Sequence, residues 1–255
     1  MEINNFILSY NLNAWMPVNT KLTMEDKIVK LKSYIYGTYG LPAVIMLQEV
    51  MAGRGREFLN AIELNFSNYE VITPASFDYR KHSRSIMCVT LIRRDILGSY
   101  TTKVLDSELP NRINYVIANI AGNEVRFLNT HIVQTACLKN QAKWYIQDRF
   151  IKKARMWDLL HDEAEAYKDY CVVIGGDLQE NKFARNVIKL SKLGYKLAGT
   201  RQATVMNDVL AEDRIDHILF SESAYELFKP VGVMVDTSEV GNLSDHALVY
   251  AACLA

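Results

Sequence analysis

The chain has 255 residues, with 29 basic and 29 acidic side chains and no net charge, which excludes a strongly basic nucleic-acid-binding surface as a global property. Hydrophobic residues make up 49% and charged residues 23%, enough for a sizeable core, which excludes extended disorder. Neutrality does not exclude a phosphate-bearing substrate, because a bound metal brings its own positive charge.

The opening segment MEINNFILSYNLNAW has no basic stretch, no long apolar stretch and no small-residue cleavage site, so a signal peptide is not expected. No apolar run approaches the ~20 residues that span a bilayer. The four cysteines, Cys88, Cys137, Cys171 and Cys253, are well separated, so there is no CxxC metal pair. Cys88 and Cys171 lie in apolar runs, where a cysteine usually serves as a small buried hydrophobe. A cytoplasmic monomer is the expectation, organised as a single domain over residues 1–255.

Strand-like and helix-like segments interleave along the chain. Phe6–Asn11 alternates as a strand. Glu25–Tyr36 has helical spacing, with Ile28, Leu31 and Ile35 on one face and Thr23 placed to cap it. Pro42 opens the apolar strand Ala43–Leu47. Arg56–Asn65 is a second helix, followed by a strand near Tyr69–Thr73. Strands are then expected at Ser85–Ile92, Lys103–Leu105, Asn114–Ile120 and Glu124–Asn129, with a hairpin turn at Ala121-Gly122-Asn123. Lys139–Lys168 is the longest helical stretch. Cys171–Gly175 is a buried strand, Ala184–Leu193 a helix ended by Gly194, and Arg214–Phe220 and His246–Cys253 are late strands. Hairpin-linked strands exclude a purely parallel sheet. The expected fold is therefore α/β, with two mixed β-sheets packed face to face and helices outside.

Chemistry-bearing residues gather at strand ends. The strand at Ile7 ends at Asn11, that at Val44 at Glu49, that at Phe127 at His131, and that at Val172 at Asp177. Asp216 lies early in its strand, and Asp245-His246 open the last one. A strand often ends in Asp or Asn because turns favour them. Six sites of one chemical type are harder to assign to turn chemistry. Glu49, Asp177 and Asp245 are hard oxygen donors suited to Mg²⁺ or Mn²⁺. His131 and His246 can move protons or donate to phosphate oxygens. No GxSxG elbow, no GxxxxGK[ST] loop and no HExxH motif competes. Two basic segments, Met51–Arg56 and Tyr79–Arg84, have the character of loops, the first placed to touch substrate. Trp144 and Trp157 are expected in the core.

Six short motifs, SYNLNAW, LQEV, NTHIV, GGDLQEN, RIDHILF and SDHALV, follow one another from Asn11 to His246. In this order the chain resembles the endonuclease/exonuclease/phosphatase superfamily, which includes deoxyribonucleases, abasic-site endonucleases, deadenylases, inositol-phosphate phosphatases and neutral sphingomyelinases. The resemblance implies a four-layer sandwich with its site at one sheet edge and Mg²⁺ (or Mn²⁺) as cofactor. It implies that Glu49 is the principal metal ligand, with Asn11 and Asp245 in the same shell. It further implies that Asp177 activates or orients the attacking water, and that Asp216 holds His246, a general base or phosphate-oxygen ligand. His131 would contact the scissile phosphate or leaving group.

One position departs from the family pattern: Gln179 stands where the family usually has Asn two residues after the acid, with Asn181 two further on. If the chain stays extended, alternation sends Gln179 to the same side as Asp177. The expected activity is metal-dependent hydrolysis of phosphodiester bonds by a nuclease or related phosphodiesterase. The alternatives are a small-molecule phosphatase or a sphingomyelinase-like lipid phosphodiesterase. A catalytically dead binding module on this fold would have lost ligands, and here only Gln179 departs.

Overall fold

The computed structural model describes residues 6–13, 22–51, 56–78, 85–135, 141–197, 215–236 and 243–253. Cys137, Arg214, the segment Tyr79–Arg84 and the middle of the loop Met51–Arg56 lie outside the described residues.

The chain order is β1 (Phe6–Asn11), α1 (Met24–Tyr39), β2 (Val44–Met51), α2 (Glu57–Asn65), β3 (Tyr69–Ile72), β4 (Ile86–Arg93), β5 (Leu97–Lys103), β6 (Ile113–Ile120) and β7 (Asn123–His131). It continues with α3 (Lys143–Ala166), β8 (Val172–Asp177), α4 (Arg185–Lys192), β9 (Lys196–Leu197), β10 (Asp216–Phe220), α5 (Glu222–Phe228), β11 (Pro230–Asp236) and β12 (Leu248–Cys253). The described strands form two sheets of six, ordered β11-β12-β1-β2-β4-β3 and β5-β6-β7-β8-β10-β9. Each sheet has a central parallel pair, β1 with β2 and β7 with β8, flanked by antiparallel partners.

Strand alternation assigns each residue to a layer. Ile7, Val44 and Met46 of one sheet meet Val116, Phe127, Val173 and Ile218 of the other in a buried inter-sheet core. On the outer face of the first sheet, Leu8, Tyr10, Ile45 and Leu47 pack under Ile28, Leu31 and Ile35 of α1 and Leu59 and Ile62 of α2. On the outer face of the second, Leu128, Val172, Ile174 and Leu219 pack under Met156, Trp157 and Leu160 of α3 and Val187 and Leu190 of α4. This is the expected four-layer sandwich. α1 begins with the expected Thr23 cap as a reciprocal capping box with Asp26 and runs to Tyr39, past its expected end at Tyr36.

Several boundaries differ from expectation. The strand sought at Lys103–Leu105 is β5, which lies earlier. It is an exposed edge strand, so the Gly-Ser-Tyr-Thr-Thr stretch carries no apolar alternation to mark it. β11 is likewise an edge strand, opened by Pro230 and irregular up to Gly232, and it went unmarked together with β9 and the short helix α5. The hairpin turn is two residues, Ala121 and Gly122, both with positive φ, and Asn123 already pairs with Ile120. The last strand starts at Leu248, two residues after His246. Trp157 is buried, but Trp144 is 72% exposed, contrary to the expectation for it. Among the described residues no helix is long and apolar enough to cross a membrane.

At the Gly-Gly step before Asp177, contact dictates the second glycine. A side chain on Gly175 would lie 2.2 Å from the Met46 terminal methyl in the facing sheet, which a flexible methionine can yield. Gly176 has φ +133°, and a Cβ there would sit 1.9 Å from the Thr130 carbonyl oxygen of the paired strand.

Candidate active site at one sheet edge

Both parallel pairs run in the same sense toward one edge, so β1, β2, β7 and β8 end together there. They deliver Asn11, Glu49, His131 and Asp177, while β10 begins at the same edge with Asp216. Asn11, His131 and Asp177 arrive on the inter-sheet face by simple alternation from Ile7, Phe127 and Val173. Glu49 does not. Counted from Ile45 and Leu47, it belongs to the helix-packed face, and it was expected to end its strand. Instead β2 continues to Met51 and carries one extra residue relative to β4 between Leu47 and Val50. This bulge, with Glu49 at φ +53°, returns Val50 to the helix-packed core and turns the Glu49 carboxylate into the cleft. The bulge is tied by Gln48, whose Nε2 donates to Asn129 Oδ1 of the other sheet (2.8 Å) and to Ser9 Oγ of the neighbouring β1 (3.2 Å).

The side chains form one connected group. Asn11 Nδ2 donates to Asp177 Oδ2 at 3.1 Å and to Glu49 Oε1 at 3.5 Å. His131 Nε2 lies 3.4 Å from Glu49 and 3.7 Å from Asp177. His246 Nδ1 is bonded to Asp216 Oδ2 at 2.9 Å, which leaves Nε2 facing Asp177 at 3.8 Å and Asp245 at 3.9 Å. His246 is fixed from behind as well. Its backbone N–H donates to Ser244 Oγ (3.1 Å), and the Ser244 side chain shares a hydrogen bond with the buried Tyr10 hydroxyl. Every sequence-predicted site residue is therefore brought to this edge.

Burial and mutual repulsion set the protonation states. Desolvation and then the neighbouring Asp216 carboxylate push Asp177 up to about 7, with His246 and Gln179 opposing. Burial alone would lower His246, but the charge and hydrogen bond of Asp216, aided by Asp177 and Asp245, outweigh it and raise it to about 10. His131 goes the other way: burial, then the Arg112 and His246 charges, hold it well below its ordinary value, as a neutral imidazole.

Four contributors were not singled out in the sequence. Arg112, at the end of a 3₁₀ turn, sets its guanidinium 3.3 Å from both ring nitrogens of His131. Asn13, at φ +45°, donates to Asp245 Oδ1 at 2.7 Å. Lys27 of α1 is buried with its Nζ 3.5 Å from the Asn13 carbonyl, in the field of Asp245 and Glu49. Tyr10 supports Ser244 from the helix-packed layer. Arg112 and Lys27 lie at no strand end, so sequence pattern carried no signal for them. Tyr10 and Asn13 both fall within the first motif, beside Asn11 and two residues past it.

Gln179 reaches Asp177, but not along an extended chain. Its φ is +54°, and the turn lets its Nε2 donate to Asp177 Oδ2 at 2.7 Å while its backbone N–H donates to Oδ1 at 3.1 Å. Asn181 is exposed and caps its own loop through Phe183 N–H. Gln179→Ala is accordingly expected to lower turnover by about 10²-fold and Asn181→Ala to leave it near normal. The reverse ranking, measured on any working substrate, would show that the amide role has passed to Asn181.

The donor set fits a hard divalent cation. The Glu49, Asp177 and Asp245 carboxylates offer oxygens, the Asn11 amide oxygen keeps one lone pair beyond the bond it accepts from Asn13 N–H at 2.9 Å, and crowding of buried acids is what a cation relieves. Asp177, Asp216 and His246 form a group whose donor atoms lie within 4.8 Å of one another. His246 is already engaged by Asp216, whereas the Glu49 and Asp245 side chains, 18% and 26% exposed, face the open side.

The raised Asp177 has a thermodynamic consequence. Its carboxyl binds a proton more tightly folded than unfolded, so stability falls as pH rises from the ordinary value of 3.8 through about 7. Metal-free Asp177→Asn should therefore melt about 5 °C above the parent at pH 8 and match it near pH 4. A variant that melts lower at pH 8 would show the ionised carboxylate to be stabilising.

No family model matches the chain, and no curated protein sequence matches it. Solved structures do. An AP endonuclease from Archaeoglobus fulgidus aligns over 98% of this chain and 99% of its own, at 17% identity and a TM-score of 0.69. The 3′-5′ exonuclease NExo from Neisseria meningitidis aligns over 98% and 100%, at 17% identity and 0.65. D. rerio TDP2, solved with a single-strand DNA product, aligns over 97% of each chain, at 17% identity and 0.65. The chain shares its fold with these structures, the DNase I-like sandwich that its motifs implied.

Proposed function

We propose that this chain, which has the fold of the endonuclease/exonuclease/phosphatase superfamily, is a single-domain, divalent-metal-dependent phosphodiesterase, most specifically a nuclease. The observation that carries the reading is the convergence of Asn11, Glu49, His131, Asp177, Asp216 and His246 on one edge, each within 4 Å of another member of the group. The similar folds, which include an endonuclease, an exonuclease and a DNA-product complex, support it.

Glu49, with Asn11 and Asp245, would hold Mg²⁺ or Mn²⁺. When bound, the cation neutralises phosphate charge and makes water a better nucleophile. Asp177, raised in its affinity for a proton and held by Asn11 and Gln179, takes the proton of the attacking water. His246, kept protonated by Asp216, donates from Nε2 to a phosphate oxygen. Neutral His131 sits across the cleft to contact the phosphate or leaving group, and Arg112 adds a fixed positive charge beside it. The separated cysteines support a reducing compartment such as the cytoplasm, and the reading requires only a monomer.

The test is hydrolysis of bis(p-nitrophenyl) phosphate, followed by a panel of DNA, RNA, nucleotides, inositol phosphates and sphingomyelin. Activity should vanish in chelator and return with Mg²⁺ or Mn²⁺. Full activity after exhaustive chelation would overturn the metal assignment, and cleavage confined to inositol phosphates or sphingomyelin would overturn the nuclease.

A further inference from the structure

Helix α3 carries a charge segregation that runs against its own dipole. Residues 143–155 hold five basic side chains and one acidic, whereas 156–166 hold four acidic and none basic. A helix N-terminus favours acids and its C-terminus favours bases, so this arrangement costs the isolated helix stability. The basic half is also the half that packs least. The buried residues of α3 begin at Met156, while Trp144 is 72%, Phe150 55% and Ile151 43% exposed.

That half is anchored to both loops leaving the catalytic edge. Arg149 Nε donates to the carbonyl of Gln134, three residues after His131, at 2.7 Å. Lys153 Nζ donates to the carbonyl of Gln179, two residues after Asp177, at 3.1 Å. Arg149 lies close enough to the site to depress both His131 and Arg112. Its guanidinium also covers the Tyr145 ring (5.7 Å) and bonds the Tyr145 hydroxyl (3.1 Å), and Trp144 packs edge-on against Tyr145. The loop after Asp177 repeats the pairing: Phe183 is 75% exposed with Lys182 over its ring at 5.0 Å.

Resting on the phosphodiesterase reading above, we propose that the basic half of α3 and the Lys182–Phe183 loop form a platform for single-stranded nucleic acid. Bases stack on Trp144 and Phe183, while the neighbouring cations follow the phosphates away from the cleft. Flat exposed rings with cations close by, Lys182 at Phe183 and Arg149 on the Tyr145 that Trp144 packs against, are what an unpaired base with its phosphate requires, and any base can stack on them. A duplex keeps its bases stacked on each other and cannot use the rings.

Binding of a fluorescein-labelled 12-nucleotide single strand, measured by anisotropy in chelator so that no cleavage occurs, tests this. Trp144→Ala and Phe183→Ala should each weaken binding about tenfold, and the parent should prefer the single strand over its duplex. Both variants should hydrolyse bis(p-nitrophenyl) phosphate within about twofold of the parent, because a small diester does not reach the rings. Unchanged oligonucleotide affinity in both variants overturns the platform. So does binding of the parent to phosphatidylserine vesicles in preference to the oligonucleotide, if the same variants abolish it, because the face would then be a lipid surface. Failure of the parent to hydrolyse the small diester with Mg²⁺ would strike the phosphodiesterase reading alone, since oligonucleotide binding in chelator is measured independently of it.

Discussion

Glu49→Gln should reduce metal-supported turnover by about 10³-fold or more, the largest single effect expected at this edge. The change removes one negative oxygen from the open side of the site while keeping the size of the side chain and the bulge that presents it. Because burial already raises Glu49, neutralising it relieves a desolvated charge, and the metal-free variant should be no less stable than the parent. Calorimetric titration with Mn²⁺ separates the two roles this carboxylate could have. Weakened metal binding together with lost turnover supports a ligand. Lost turnover with unchanged metal affinity would move the ligand role to the Asp177, Asp216 and His246 group.

His246→Ala should lower turnover by about 10²–10⁴-fold. It should also destabilise the fold, because it strips the cation from between Asp216 at 2.9 Å and Asp177 at 3.8 Å. Leaving a buried charge unpaired costs about 3–5 kcal/mol. The sign with pH follows from the raised affinity of His246 for its proton. Its stabilising contribution is complete below its ordinary value of 6.5 and is lost as pH climbs through about 10. Adding Asp216→Asn to His246→Ala removes one of the two neighbouring buried acids and so their mutual repulsion, and the double variant should regain melting temperature and no activity. Thermal melts and turnover of the single and double variants measure this. Recovery of turnover along with stability would mean that His246 acts only as a structural counter-ion.

The chemistry of the site was legible in the sequence because strands that end at a functional edge leave a one-dimensional trace. Asn11, His131 and Asp177 each close an apolar run, and alternation from Ile7, Phe127 and Val173 already assigns them to one face. Edge strand β5 left no such trace, since a strand exposed on its faces needs no apolar period, and in β11 the Pro230 and Gly232 that open it interrupt the pattern. Trp144 misled for a related reason: an aromatic residue at the start of a long helix has the same local pattern whether the core reaches it or stops three turns later.

By itself the sequence determined the layers, the two-sheet character and the residue types available for chemistry, because periodicity and composition are local properties that burial imposes on each segment separately. Only the tertiary structure decided how those residues are aimed. Simple alternation puts Glu49 on the helix-packed face, and it reaches the cleft because β2 carries one more residue than β4 can pair. Gln179 reaches Asp177 through a left-handed turn rather than an extended chain. Arg112 and Lys27 join the site from a turn and a helix far away in sequence. Bulges, positive φ and long-range approach are set by how two sheets and their helices fit together. That fit is a property of the packed chain as a whole, with no signature in any one segment.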